Sequence, residues 1–326
     1  MFKILESLNN NNLCGVSGNE RELAETLGES IKEYLNYVSI DKHNNLIAVK
    51  EVDGNKKILI SCAIDEKGFV IKDILRNGLI EAIPIGGFSM HGVILGYVTI
   101  HGKKNIDGIC IPDEVQGRSN SIFIETGYKY EELKEMVKIG DPISLQFKEN
   151  FNQNEEFIYG VRNNVVCASI LSSIAEKISN KNLNNQVIFI GLSKIKLGCV
   201  KLDNIVKEYK PDLMIYIDII KEYDEYSEKN DYRISEGIII NCGVGSNEEY
   251  FNDISKFIVD NFEKNIKYKV CGSANKKCDL TFNTINRKVP VLELDIASKF
   301  TNSISNKFSI KDIDYLIDVI SSYVSM

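Results

Sequence analysis

From Asn164 onward the sequence alternates between two periods, and few folds accommodate that alternation. Helix-period stretches are interleaved with short apolar runs: QVIFIGL at Gln186–Leu192, LMIYIDI at Leu213–Ile219, then GIIINCG, KYKVC and VPVLELDI. The helical stretches cover Asn164–Ile178, Leu202–Glu208, the amphipathic EEYFNDISKFIVDNFEKN and a closing SIKDIDYLIDVISSYVS, whose Ile310, Ile313, Ile317, Val319 and Ile320 share a face. Strands that alternate with helices predict an α/β fold, a mostly parallel sheet flanked by helices.

Upstream, LISCAIDEKGF (Leu59–Phe69) runs from an apolar strand directly into Asp65 and Glu66. Open α/β sheets keep their ligand sites at such strand ends. A helix with Leu23, Leu27, Ile31 and Leu35 on one face precedes it, with Ser17 or Asn19 as its cap, and VSIDKHNNLIAVK reads as a hairpin.

Between Lys67 and Glu155 the texture changes to short β segments separated by glycine and polar turns, with one helical patch, EELKEMV. This predicts an α/β domain made of residues 1–66 and 156–326, and an inserted β-rich domain over 67–155, with FNQNEEF as the return linker.

The net charge of −7 is spread without long like-sign runs, which argues against nucleic acid or an anionic membrane as partner. No run approaches the roughly 18 apolar residues of a membrane span, and MFKILESLNNNN lacks a signal-peptide core, so the reading is cytoplasmic. Eight dispersed cysteines without a CxxC pair read as buried thiols, Cys62 among them, rather than a zinc cluster.

GVSGNE, DKHNNLIAVK, IDEKGF, IPIGGFSMHGVILGYVTIHG and IGDPISL occur in an order that resembles the tetrahedral (glutamyl and deblocking) aminopeptidases, dinuclear zinc or cobalt peptidases also labelled endoglucanases. The resemblance covers essentially the whole chain. It implies a metalloaminopeptidase-like, phosphorylase/hydrolase-like fold with an inserted small β-barrel or PDZ-like dimerisation domain, and a homo-oligomer, up to a dodecamer.

The resemblance also implies metal ligands, and here the residues differ. The His-x-Asp pattern before the insertion falls on Ala63 and Asp65; the bridging aspartate on Asn163; the paired glutamates, base and ligand, on Ser193 and Lys194; the next aspartate on Asp218; the last histidine on Asn302. The three histidines, His43, His91 and His101, align with no ligand. An amide is a poor bridge between dications, a serine hydroxyl is no base toward metal-bound water at neutral pH, and an ammonium repels a cation.

The remnant pocket is thus Asp65, Asn163, Ser193, Lys194, Asp218 and Asn302, with no catalytic residue and no metal expected. The expectation is a family member that has lost peptide hydrolysis and serves as a structural, regulatory or ligand-binding protein, with a peptide or another small molecule as ligand. The alternative is a metal-dependent aminopeptidase with a rearranged site, holding zinc or cobalt on Asp65 and Asp218. In the metal-free reading, the Lys194 ammonium replaces the lost cation and pairs with Asp65 or Asp218.

Overall fold

The computed structural model describes residues 1–54, 56–87, 92–111, 121–152, 154, 156–199, 202–222, 232–241, 248–262, 266–271, 289–301 and 303–326. Two bodies of structure follow from the two textures of the sequence. The first is an 11-stranded sheet, and the second a closed six-stranded barrel.

The centre of the sheet is parallel. Strand β3 (Lys56–Ala63) lies between β12 (Asn185–Leu192) and β13 (Leu213–Lys221), and β16 (Val291–Lys299) pairs with the far edge of β13. The wings are antiparallel: β1 (Tyr37–Ile40) and β2 (Leu46–Lys50) form the predicted hairpin beside β12, while β14 (Ile238–Asn241) and β17 (Lys307–Ser309) pair with β16. β15 (Tyr268–Cys271) adds to β14 in parallel. FNQNEEF is not merely a linker, because β10 (Asn150–Phe151) and β11 (Phe157–Tyr159) join the sheet through β17. Two- and three-residue strands carry too little alternation to be read from sequence.

Side-chain alternation explains how β3 holds two layers apart. Ile58, Ile60 and Cys62 face a core built with helices α1 (Phe2–Leu8), α2 (Arg21–Ile31), α4 (Asn163–Ile178), α6 (Glu248–Phe262) and the closing α7 (Ile310–Tyr323). Leu59 faces the other layer, with Leu202, Ile205 and Val206 of α5 (Leu202–Tyr209) and with Met214 and Tyr216. Cys62 is fully buried, and burial pushes its thiol far up, as a core cysteine requires. Leu23, Leu27 and Ile31 are buried as their spacing predicts. The α2 cap differs from expectation: Glu20 takes the position without a side-chain cap, and Ser17 is engaged elsewhere.

The barrel comprises β4 (Gly68–Ile74), β5 (Ile80–Ile85), β8 (Ile122–Glu125), β7 (Asn105–Ile111), β6 (Tyr97–His101) and β9 (Pro142–Leu145), in that closed order, with α3 (Tyr130–Met136) against it. It has its own core, including Phe69, Ile71, Val98, Ile100, Ile124 and Leu133. Closure removes the free edges that short antiparallel strands otherwise present.

Candidate functional site

The ends of β12, β3 and β13 meet at one edge of the parallel sheet, and register fixes what lies there. Leu192 pairs with Ala63, so Ser193 and Lys194 leave β12 beside the exit of β3. Ile217 pairs with Cys62, so Asp218 comes one residue later on β13. Asn164 of α4 donates its amide to the Ile64 carbonyl at 2.9 Å, which ties the helix N-terminus to the same edge. Carboxyl ends of parallel strands are where α/β sheets place ligands.

Asp65 is completely buried. Its Oδ2 accepts from Ser17 Oγ and from the Lys196 backbone N–H, both at 2.7 Å, while Oδ1 has no hydrogen-bond partner. Burial raises its pKa; the nearby Lys196 charge, the Lys196 amide and the Ser17 hydroxyl oppose the rise, and Glu20 adds to it. Glu66 shows the same balance: burial raises it, and the buried Arg162, whose Nε lies 3.4 Å from Glu66 Oε2, pulls it down.

The remaining predicted positions are engaged individually. Asn163 opens α4, and its Oδ1 accepts from Asn306 Nδ2 at 2.7 Å. Ser193 Oγ donates to the His43 carbonyl at 2.6 Å, and its backbone N–H donates to Asn45 Oδ1. Asn302 and His91 lie outside the described residues. Lys194 does not take the role expected of it: it sits at φ +58°, its backbone N–H donates to Glu20 Oε1 at 2.9 Å, and among the described residues its ammonium makes no ion pair. The left-handed turn at Lys194 carries the chain on so that Lys196, two residues later, is the lysine whose charge acts on Asp65.

A paired-cation centre asks for imidazoles and carboxylates. The described positions that the sequence resemblance assigns to metals hold a methyl group at Ala63, an amide at Asn163, a hydroxyl at Ser193 and an ammonium at Lys194. A one-residue shift restores nothing, since Arg162, Asn164, Leu192 and Ile195 are not acids either. These residues do not fit two cations.

A different donor set does converge. Asp218, Glu293 and Asp295 each bring a carboxylate oxygen within 4.8 Å of the others. Asp218 and Asp295 are register partners on β13 and β16, and Glu293, two residues before Asp295, shares its face. Asp295 is fully buried, Glu293 nearly so, and Asp218 is partly open. Oxygen-only donors suit one hard cation. Sequence reasoning missed Glu293 and Asp295, although two acids at i and i+2 in an otherwise apolar strand, VLELDIA, are a readable signal. It also missed Ser17, Glu20 and Lys196, which only the fold brings to Asp65.

A parallel-centred sheet with carboxylates at its strand ends and a closed barrel inserted after the third strand defines a metallopeptidase-type scaffold. The chain belongs to the M42 glutamyl aminopeptidase family, whose model matches residues 44–319. It is 28% identical over 225 residues to a putative aminopeptidase of Acetivibrio thermocellus, a match covering 67% of this chain and 66% of that protein. The curated relatives are thus matched over about two thirds of their length or less. Among solved structures, it resembles a TET aminopeptidase from a marine-sediment Thaumarchaeota archaeon, with TM-score 0.88, 18% identity and coverage of 99% of this chain and 95% of that one. It also resembles the Pyrococcus horikoshii TET1 peptidase, described as assembling into a tetrahedron or a large octahedral shell, with TM-score 0.81, 18% identity and coverage of 99% and 98%.

Proposed function

We propose that this chain is a metal-dependent aminopeptidase with a rearranged site, hydrolysing the N-terminal residue from peptides. The observation that carries this reading is the convergence of Asp218, Glu293 and Asp295 on one face of the paired strands β13 and β16, within a family scaffold matched over residues 44–319. A cation held there supplies the Lewis acidity that peptide hydrolysis needs. The chain's own part is to fix the three carboxylates: β13 and β16 set the register of Asp218 against Asp295, and Glu293 and Asp295 are held in buried positions on the same face. The test is turnover of chromogenic aminoacyl amides by the full chain with zinc, cobalt or manganese added, against Asp218→Ala.

A second reading is favoured by a specific observation. The Ser193 hydroxyl is already bonded to the His43 carbonyl, and the sequence resemblance assigns Ala63, Ser193 and Lys194 to a ligand, the base and another ligand. A member that keeps the scaffold without turnover would bind a peptide or small molecule through the same edge. Metal content without turnover at any added cation supports this second reading.

The chain assembles with further copies of itself, the barrel over roughly residues 67–155 acting as the dimerisation domain. Support comes from the shell-forming peptidase it resembles and from large apolar side chains that the barrel leaves outside, Leu95 at 65% and Ile139 at 63% exposure. Five free cysteines among the described residues support a reducing, cytoplasmic setting, and no described helix is long and apolar enough to cross a membrane.

A further inference from the structure

The acidic cluster has a fourth neighbour. Asn241 ends β14, and its register partner across the antiparallel ladder is Glu293. Directly paired residues on neighbouring strands share a face of the sheet, so the Asn241 amide lies on the face of Glu293 and Asp295, and of Asp218 through its pairing with Asp295. Asn241 is only 1% exposed, and neither its Oδ1 nor its Nδ2 has a hydrogen-bond partner. Buried amides are almost always bonded, and an orphan one calls for a specific explanation such as an ion.

We propose that Asp218, Glu293, Asp295 and Asn241 form the ligand set of a single hard divalent cation of the manganese, magnesium or calcium class. Asn241 contributes its carbonyl oxygen, and Asp218, the most open of the four, marks the side of entry. Oxygen–cation distances of roughly 2.0–2.6 Å place the ligands of one ion up to about 5 Å apart, which the 4.8 Å limit of the carboxylate cluster meets. Three carboxylates gathered on one face supply the oxygen donors that such a cation takes. Of the positions that the family resemblance assigns to metals, only Asp218 is used. The centre is therefore displaced along the sheet toward β16 and β14. The assignment deepens the hydrolase reading and rests on it only for the claim that the ion serves turnover.

The experiment is a manganese titration of the chelator-stripped full chain, with free Mn²⁺ followed by electron paramagnetic resonance and folding checked by circular dichroism. Saturable binding of about one Mn²⁺ per chain is expected, weakened at least about tenfold by Glu293→Gln and by Asp295→Asn. Asn241→Leu provides an independent arm: it removes the orphan amide, so the metal-free variant melts at the same or a higher temperature, while the rise in melting temperature on adding Mn²⁺ shrinks. No saturable binding overturns the proposal, as does affinity unchanged in folded Glu293→Gln and Asp295→Asn, or a Mn²⁺-induced rise in Asn241→Leu as large as in the parent. Binding that follows these residues without turnover upholds the site and removes the hydrolase reading. Metal-dependent turnover indifferent to Glu293→Gln does the reverse.

Discussion

Ser17 and Asp65, 48 residues apart in the chain and both buried, are joined by a 2.7 Å hydrogen bond from the serine hydroxyl to Oδ2. With the Lys196 amide, it holds a carboxylate whose other oxygen has no hydrogen-bond partner. Ser17→Ala leaves Oδ2 with the amide alone. The expected cost is about 1–3 kcal/mol, because a buried acceptor loses a donor that water cannot replace. Urea denaturation of the variant checks this; a loss well below that range means that Asp65 relaxes to another donor.

Asp312 gives a pH signature. It accepts from the backbone N–H groups of Ser235 and Gly237, yet burial pushes its carboxyl up to about 6 from an ordinary 3.8. The folded chain therefore holds a proton that the unfolded chain releases between those values. The stability associated with that proton is complete below about pH 4 and is lost as pH rises through about 6, at roughly 1.4 kcal/mol per unit. Stability of the parent relative to Asp312→Asn is expected to fall across that window and to be flat above it. Parallel pH profiles of the two proteins would show that Asp312 titrates normally.

Gly160 sits at φ +64° two residues before Arg162, which caps α4, and a Cβ there would lie 2.1 Å from the Lys148 carbonyl oxygen. Gly160→Ala combines left-handed strain of about 1–3 kcal/mol with a backbone clash. The expected outcome is a loss at or above the upper end of that range, read from denaturant midpoints, together with a disturbed α4 N-terminus.

Leu95, itself at φ +63°, is exposed on the barrel just before β6. Leu95→Glu places a charge on that surface, and the mutant is expected to run as a smaller species in light scattering than the parent, with unchanged circular dichroism. Identical masses would move the self-association surface away from this edge of the barrel.

Much of this was legible in the residues, for physical reasons. β3, β12 and β13 are long enough for apolar runs to declare them, and the helical spacing of Leu23, Leu27 and Ile31 reports the core face of α2. Strand direction was only partly legible: helices between strands imply the parallel centre, but nothing local to β17 or β14 says that they return antiparallel to β16. At the site, Asp65 just after an apolar strand and Asp218 inside one stand out as carboxylates in apolar runs. Lys194 misled because spacing alone does not reveal a left-handed residue, which here passes the approach to Asp65 on to Lys196. Glu293 and Asp295 were visible as an i, i+2 pair, but their meeting with Asp218 depends on β13 lying beside β16, a contact between segments far apart in the chain.

The central claim is that an aminopeptidase scaffold here works through carboxylates moved along the sheet. Its most direct test is the rate at which the metal-loaded full chain cleaves a chromogenic aminoacyl amide, compared with Asp218→Ala under the same metal. The account predicts metal-dependent turnover above the metal-only blank, abolished by the substitution. Saturable metal binding with no turnover by the parent under zinc, cobalt or manganese would contradict it.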